Sequence, residues 1–258
     1  MISNAFLTDF IAEVKKKKEI SGLNDDLVIN YVKDYLIKEK IDPSIISYHD
    51  KKLIVKEIRS GLRLFNARFQ VSKKNRGKML EKNDLRRLLE SHYSTKERMP
   101  FYPELKKIIS ELKVKSILDL GCGLNPLALA TINIKYTACD INEAELSLIN
   151  DFYIKENING KAFYCDLTRA DFKSFPSSDL CLILKVFDII EKKGHKIAEK
   201  IINEINCRYF IVSFSTKKLS GKSMNRPKRN WFERILRKNN FNFRIIESNN
   251  EIFYLIEK

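Results

Sequence analysis

From Ser116 to the C-terminus, short apolar runs alternate with amphipathic stretches, and this alternation limits the fold more than any other feature of the chain. The runs are Ile117–Leu120, Tyr136–Cys139, Ala162–Cys165, Leu180–Val186, Tyr209–Phe214, Phe243–Ile246 and Ile252–Ile256. Helical patterns over Glu143–Asn157, His195–Asn206 and Trp231–Asn239 lie between several of them. Parallel neighbours need a crossover connection, and strands buried on both faces read as continuous apolar runs. The rhythm therefore predicts a parallel sheet covered by helices on both sides. Only Glu247–Glu251 separates the last two runs, too little for a crossover helix, so these two strands should be antiparallel neighbours. The expectation is an α/β fold built on a mixed sheet of about seven strands.

The first of these strands, Ile117-Leu118-Asp119-Leu120, runs into Gly121-Cys122-Gly123, and a helix opens near Pro126. Glycines at this point let the backbone approach a ligand at the carboxyl edge of the sheet. A dinucleotide site would want a third glycine where Pro126 stands, and a phosphate-binding loop would want Gly-Lys-Ser/Thr. Neither is present, which suits a ligand without phosphate. Asp140 ends the second strand, where a carboxylate can accept from both ribose hydroxyls, and Asp166 ends the third, within reach of an adenine amino group. Either acid can equally cap a helix, and for Asp166 that reading stands level with the first. The ordered set Asp119, Gly121, Gly123, Asp140 and Asp166, each at a strand end, points to S-adenosylmethionine (SAM) and to the class I SAM-dependent methyltransferase fold.

The preceding part reads as helical. Apolar residues recur at helical spacing in Phe6, Phe10, Ile11 and Val14, again in Leu27, Tyr31, Val32, Tyr35 and Leu36, and again in Leu53, Ile54, Ile58, Leu62 and Phe65. Asp42-Pro43 has the form of an N-cap followed by proline at the first helical position, and a further helix is expected over roughly Glu81 to Glu90. Residues 1–95 are read as a helical, basic extension and residues 96–258 as the domain that carries the sheet.

Charge is concentrated. The chain carries 48 basic and 33 acidic residues, net +15. Arg59–Arg87 holds ten Lys/Arg against two acids and Ser215–Arg244 ten against one, so these two loci account for the whole excess. Such clustering is what a polyphosphate partner selects, because each neutralised phosphate releases counterions. The candidate RNA-binding residues are Arg59, Arg63, Arg68, Lys73, Lys74 and Arg76 in the first locus, and Lys217, Lys218, Lys222, Arg226, Lys228 and Arg229 in the second. The Lys15–Lys18 run reads as a solvated surface. Five cysteines with no C-x-x-C pair argue against a disulfide framework and a zinc site, so no metal is expected. No secretory leader or apolar run of membrane-spanning length is evident, so the expected setting is the cytoplasm, without membrane contact.

Three stretches resemble motifs of one family, in the family's order: His92-Tyr93-Ser94-Thr95-Lys96-Glu97-Arg98-Met99, Leu118–Leu129, and Val212–Lys222. Lys185, followed by Ile190-Glu191, is similar to a fourth. The family is the aminoglycoside-resistance 16S rRNA (guanine-N7) methyltransferases with their archaeal relatives, and the resemblance covers about residues 90 to 235. It implies methylation of a guanine N7 in the decoding region of 16S rRNA, with the assembled small ribosomal subunit as substrate; separately from the resemblance, a monomer is expected. It also implies that Arg98 holds the SAM carboxylate, that the glycine turn lines the methionine moiety, and that Asp140 and Asp166 bind adenosine. Loss of Arg98 is then expected to weaken SAM without unfolding the chain. The helical N-terminal part resembles the family's rRNA-docking extension by type and basicity. Ser215 stands where the family commonly has Pro, and Lys217 and Lys96 where it has Arg.

The chemistry agrees with that resemblance. Guanine N7 has an in-plane lone pair and no proton, so alignment supplies much of the catalysis and no general base is required. Lys185 is a candidate contact to substrate or, equally, a buried hydrogen-bond donor. Methylation of an exocyclic amine usually involves Asn/Asp-Pro-Pro-aromatic after the fourth strand, where this chain has Lys185-Val186-Phe187-Asp188, and no cysteine is placed as a nucleophile. His92 and Ser94 read as turn braces, and Trp231 and Phe232 as core. Methylation of a different RNA nucleotide, or a non-catalytic role in ribosome assembly, are the competing functions.

Overall fold

A computed structural model describes residues 4–65, 69–191, 194–217 and 228–258. Among the described residues seven α-helices precede the first strand: α1 (Asn4–Lys15), α2 (Asp25–Lys38), α3 (Tyr48–Phe65), α4 (Arg76–Glu81), α5 (Leu85–Glu90), α6 (Tyr93–Arg98) and α7 (Tyr102–Glu111). The alternating part follows as β1 (Ser116–Leu120), α8 (Pro126–Leu129), β2 (Lys135–Asp140), α9 (Glu143–Lys155), β3 (Gly160–Tyr164), β4 (Ser178–Leu184), α10 (Phe187–Ile190), α11 (Lys196–Glu204), β5 (Cys207–Ser215), α12 (Asn230–Lys238), β6 (Asn242–Glu247) and β7 (Glu251–Glu257).

The sheet has seven strands in the order β3-β2-β1-β4-β5-β7-β6. β7 runs antiparallel to both β5 and β6, and the other pairs are parallel, as the short linker required. Side chains alternate between two cores: in β4, Leu180, Leu182 and Leu184 face one, and Cys181 and Ile183 the other. Chain order reverses between β1 and β4, and it is outside the carboxyl ends of strands at such a switch point that open α/β sheets bind ligands.

The N-terminal helices form a separate core, in which Phe10 and Val14 of α1, Val28, Val32 and Leu36 of α2 and Ile54, Ile58 and Leu62 of α3 meet. Asn24 caps α2 by accepting from the Asp26 and Leu27 N–H groups. Asp42 and Pro43 open a short 3-10 turn in the manner expected. From Leu80 onward the helices pack instead with the sheet's own core. The single helix expected over Glu81–Glu90 is two, because Asn83 takes a left-handed φ of 57° and Asp84 caps a fresh start at Leu85. Asparagine tolerates that conformation better than most residues.

This core holds one ionisable group with little compensation. Asp119 in β1 is fully buried, its Oδ2 accepting from the Tyr136 hydroxyl at 2.8 Å, while Oδ1 has no partner. Burial pushes its carboxyl up to about 7, against the opposing pull of Tyr136 and Arg98. An acid whose folded value is raised stabilises the fold fully below its ordinary value and loses that contribution as pH rises through the folded value. Unfolding free energy should therefore fall as pH climbs from 3.8 through about 7. Asp119→Asn should flatten that decline, and denaturant titrations of both proteins across the window check it. Parallel curves for the two would show that Asp119 does not titrate there.

Candidate functional site

A cavity of about 230 Å³ opens at the carboxyl edge of β1 to β4. Its floor is the Gly121–Gly123 turn after β1, Asp140 and Ile141 at the end of β2, Cys165 to Arg169 after β3, and Leu184 to Val186 at the end of β4. His92, Ser94, Thr95 and Arg98 of the α6 region line one side. Leu27, Asn30, Tyr31 and Asp34 of α2 supply another, so the helical extension is part of the cleft. The extension is seated there by the Asn24 N–H donating to the Ile141 carbonyl at 3.2 Å and by Asn24 Nδ2 donating to Glu143 at 2.6 Å. An ion pair between Asp34 and Arg169 joins the two parts at the cleft.

The turn needs its glycines. Gly121 has φ 64° and Gly123 φ 50°, where L side chains are strained. A Cβ on Gly121 would sit 2.6 Å from Val186 Cγ2, and one on Gly123 would sit 3.0 Å from the His92 ring. The Gly123 N–H donates to Asp140 Oδ2 at 2.9 Å, while the N–H groups of Ile141 and Asn142 donate to Oδ1 at 2.7 and 3.1 Å. Desolvation, aided by nearby Glu145, raises the Asp140 carboxyl to about 6 despite those three donors. Asp166 also faces the cavity, and its Oδ1 accepts from both the N–H (2.9 Å) and the hydroxyl (2.6 Å) of Thr168; it braces a turn, and no helix follows for it to cap. Asp119 does not line the cavity. It lies behind the turn, in the core.

Arg98 lines the cavity yet is 1% exposed. Its Nε and Nη2 meet the Glu251 carboxylate, the latter at 2.7 Å, and Nη1 donates to Asn125 Oδ1 at 2.6 Å. Burial acts against the guanidinium charge, but Glu251 and Tyr102 more than offset it. Removing Arg98 would take the main partner from a buried carboxylate, so Arg98→Ala is expected to cost stability in addition to the cofactor affinity expected from the sequence. Lys185, also facing the cavity, is held at φ 62° with Nζ 2.7 Å from Glu97 and 3.5 Å from Glu251. It is thus buried and paired, the second of the two roles considered for it. A non-glycine residue in that conformation is uncommon and marks a place where the surroundings enforce strain. Among cleft residues not foreseen, His92 is buried with Nδ1 unpartnered, and burial lowers its pKa, with Arg76 and Arg98 adding to that and Glu145 opposing it. A neutral imidazole whose open nitrogen is buried beside a glycine cradle fits a ligand with polar groups of its own.

The basic residues divide. Arg76, expected at an RNA surface, is instead internal: its side chain is 10% exposed, paired with Glu145 at 2.8 Å and bonded to Gln70 and Ser91. Arg59 donates to the carbonyls of Glu13 and Val14, and Lys73 Nζ to that of Glu19 at 3.1 Å, so both hold the end of the first helix and the turn after it. Arg229 is held by Asp188 and the Ser215 carbonyl. These four corrections share a cause, since a charged side chain near unsatisfied carbonyls or a buried acid is drawn inward whatever its neighbours in sequence. Arg63 is exposed but paired with Glu19, Lys74 and Lys228 are exposed, and Lys217 is partly so. Arg68, Lys218, Lys222 and Arg226 lie outside the described residues. Among the described residues no acid, histidine or cysteine cluster suits a metal, and no helix is long and apolar enough to cross a membrane.

The chain is similar to known proteins. A 16S rRNA (guanine(1405)-N(7))-methyltransferase of Micromonospora echinospora is 28% identical over 184 residues, 67% of this chain and 66% of that protein. One from Serratia marcescens is 30% identical over 158 residues, 60% of this chain and 62% of that protein. The chain thus spans just under two thirds of the length of these relatives. The crystal structure of the 16S rRNA methyltransferase RmtF in complex with S-adenosyl-L-homocysteine superposes with a TM-score of 0.81 over 100% of both chains at 22% identity. That of the 16S rRNA methylase RmtB does so at 0.77, over 98% of each at 24% identity. These two likenesses establish the class I methyltransferase fold. The profile of the ribosomal RNA methyltransferase (FmrO) family matches residues 77–255, and the chain belongs to that family.

Proposed function

We propose that the protein is a SAM-dependent methyltransferase of 16S rRNA, that its target atom is N7 of a guanine in the decoding region, and that the assembled small subunit, in the cytoplasm, is its substrate. One observation carries the reading: the glycine turn, Asp140, Asp166 and Arg98 line a single cavity at the switch point of the sheet. The relatives named for guanine N7 methylation supply the choice of atom.

SAM, when bound, supplies a methyl group on a sulfonium, activated for in-line attack. Arg98 would hold its carboxylate, Asp140 the ribose hydroxyls, and Asp166 the adenine edge, while Gly121 and Gly123 let the backbone close on the amino-acid end. No residue need remove a proton, because N7 carries none. Lys185 Nζ is in any case already engaged by Glu97 and Glu251. The chain's contribution is to bind, orient and exclude water, which can account for much of a transfer of this kind.

Labelled SAM should methylate small subunits, and not large subunits or tRNA. The methylated rRNA should break at one enzyme-dependent position in the decoding region after borohydride and aniline, since an N7-methylated guanine is positively charged and labile. Methyl incorporation without a cleavable site would move the chemistry to another atom, and incorporation into large subunits or tRNA would move it to another RNA.

The corrected basic surface predicts a split among variants. Lys74→Ala and Lys228→Ala should each flatten the slope of log affinity against log salt for subunit binding, by about 0.7 to 0.9 per lost phosphate contact. Arg76→Ala should leave the slope unchanged and instead cost about 3–5 kcal/mol of stability, because it strands the buried Glu145. Salt titrations and denaturant unfolding separate the two classes.

A further inference from the structure

Glu251 opens β7, far in sequence from every glycine or acid of the cleft, and its side chain is 1% exposed. It is not among the residues that line the cavity, and it reaches the cleft through Arg98. Its carboxylate is nonetheless the hub of a buried charge cluster. It accepts from Arg98 Nε at 3.2 Å, from Nη2 at 2.7 Å and from the Ser213 hydroxyl, and Lys185 Nζ stands 3.5 Å away. Glu97 completes the cluster on Lys185, so two cations face two carboxylates.

Resting on the reading that Arg98 receives the cofactor carboxylate, we propose that Glu251 is the positioning residue for that contact. It grips the Nε–Nη2 edge of Arg98 and so turns the remaining edge to the cleft. A guanidinium has five N–H groups in a fixed plane. Glu251 takes two and Asn125 a third, which leaves at most two for a ligand and fixes where they point. An arginine side chain held loosely would surrender rotamer entropy on binding, and one already immobilised does not. Stability alone is a weak reason for such a pair, since buried ion pairs are often no better than apolar residues of the same size. Placement of a charge at the cleft is a reason that an apolar pair could not serve.

The test uses two probes, S-adenosyl-L-homocysteine and 5′-methylthioadenosine, which share the nucleoside but differ in that the second lacks the amino-acid carboxylate. Both are titrated by calorimetry into the full chain, into Glu251→Gln and into Arg98→Ala/Glu251→Gln, with Arg98→Ala alone as reference. Glu251→Gln should bind the first probe about 10-fold or more weakly, the scale of a lost charge-assisted hydrogen bond, and the second unchanged. The double variant should bind the first probe no more weakly than Arg98→Ala, because Glu251 acts only through that arginine. Glu251→Asp keeps the buried charge and withdraws it from Arg98, so it should show the same selective loss if the Gln variant folds poorly. The ratio between probes is also unaffected by an inactive fraction. Equal loss of both probes would make Glu251 a fold residue only. Unchanged binding of the first would mean that Arg98 needs no positioning by Glu251, tighter binding that Glu251 competes with the ligand carboxylate, and either result overturns the proposal. If the unaltered chain binds neither probe, the cofactor reading itself fails, and the positioning role with it.

Discussion

Three backbone N–H groups converge on the carboxylate of Asp140, and much of the site's architecture follows from that convergence. The Gly123 donor ties the turn after β1 to the end of β2, and the Ile141 and Asn142 donors shape the entry into α9. The neighbouring Ile141 carbonyl accepts from Asn24, which also caps α2. A short stretch of chain thus joins the glycine turn, the sheet edge, a crossover helix and the N-terminal extension. Donor groups at a strand end attract an anionic side chain, and burial opposes its charge. The result is a carboxylate with a raised pKa that is fully oriented before any ligand arrives.

A second constraint is electrostatic. Arg98, Lys185 and Glu251 lie close together with little access to water, half-buried Glu97 pairs with Lys185, and the buried three are tolerable only because of these partners. Removing a single member of such a set leaves a charge unpaired, which costs far more than the set as a whole contributes to stability. The strained φ of Lys185 belongs to the same balance, since its backbone N–H is also held by the Ser213 carbonyl and hydroxyl. Arg76 and Glu145 repeat the pattern on the other side of His92. Buried pairs on both flanks of the cleft favour a preset shape over a pliable one.

The sheet was legible in the sequence because its signals are local. Apolar runs mark the strands, the brevity of Glu247–Glu251 gives the antiparallel end, and Gly121 and Gly123 announce a turn at φ values that few other residues accept. Asp140 could be read for the same reason, since it ends a recognisable strand. Glu251 could not, because its partner Arg98 is 153 residues away and nothing around it departs from an ordinary strand start. Arg59, Lys73, Arg76 and Arg229 turn inward although they sit in basic clusters, because clustered charge in sequence says nothing about which side chains do so. Asn125 lies inside a motif, and nothing local marks it as the acceptor for both Arg98 and Tyr102. The break at Asn83 had a signal in Asn-Asp, a pair that favours turns and caps over helix interiors.

The N-terminal extension reads as helical and basic, and holding a large RNA over the methyl group requires it to lie on the face of the cleft; that α2 itself lines the cavity is not legible in the sequence. Periodicity identifies the apolar face of α2, which packs Val28, Val32 and Leu36 into its own core. It is silent on the adjoining face, where Asn30 and Asp34 border the cavity. That placement has a thermodynamic consequence. A molecule that fills the cavity contacts the extension and the sheet domain together, so its affinity depends on how well α2 is seated. The Asp34–Arg169 pair and the Asn24 contacts are the joints through which the seating is set. Linkage makes the dependence mutual: whatever shifts the extension changes binding in the cavity, and binding in the cavity holds the extension by the same free energy.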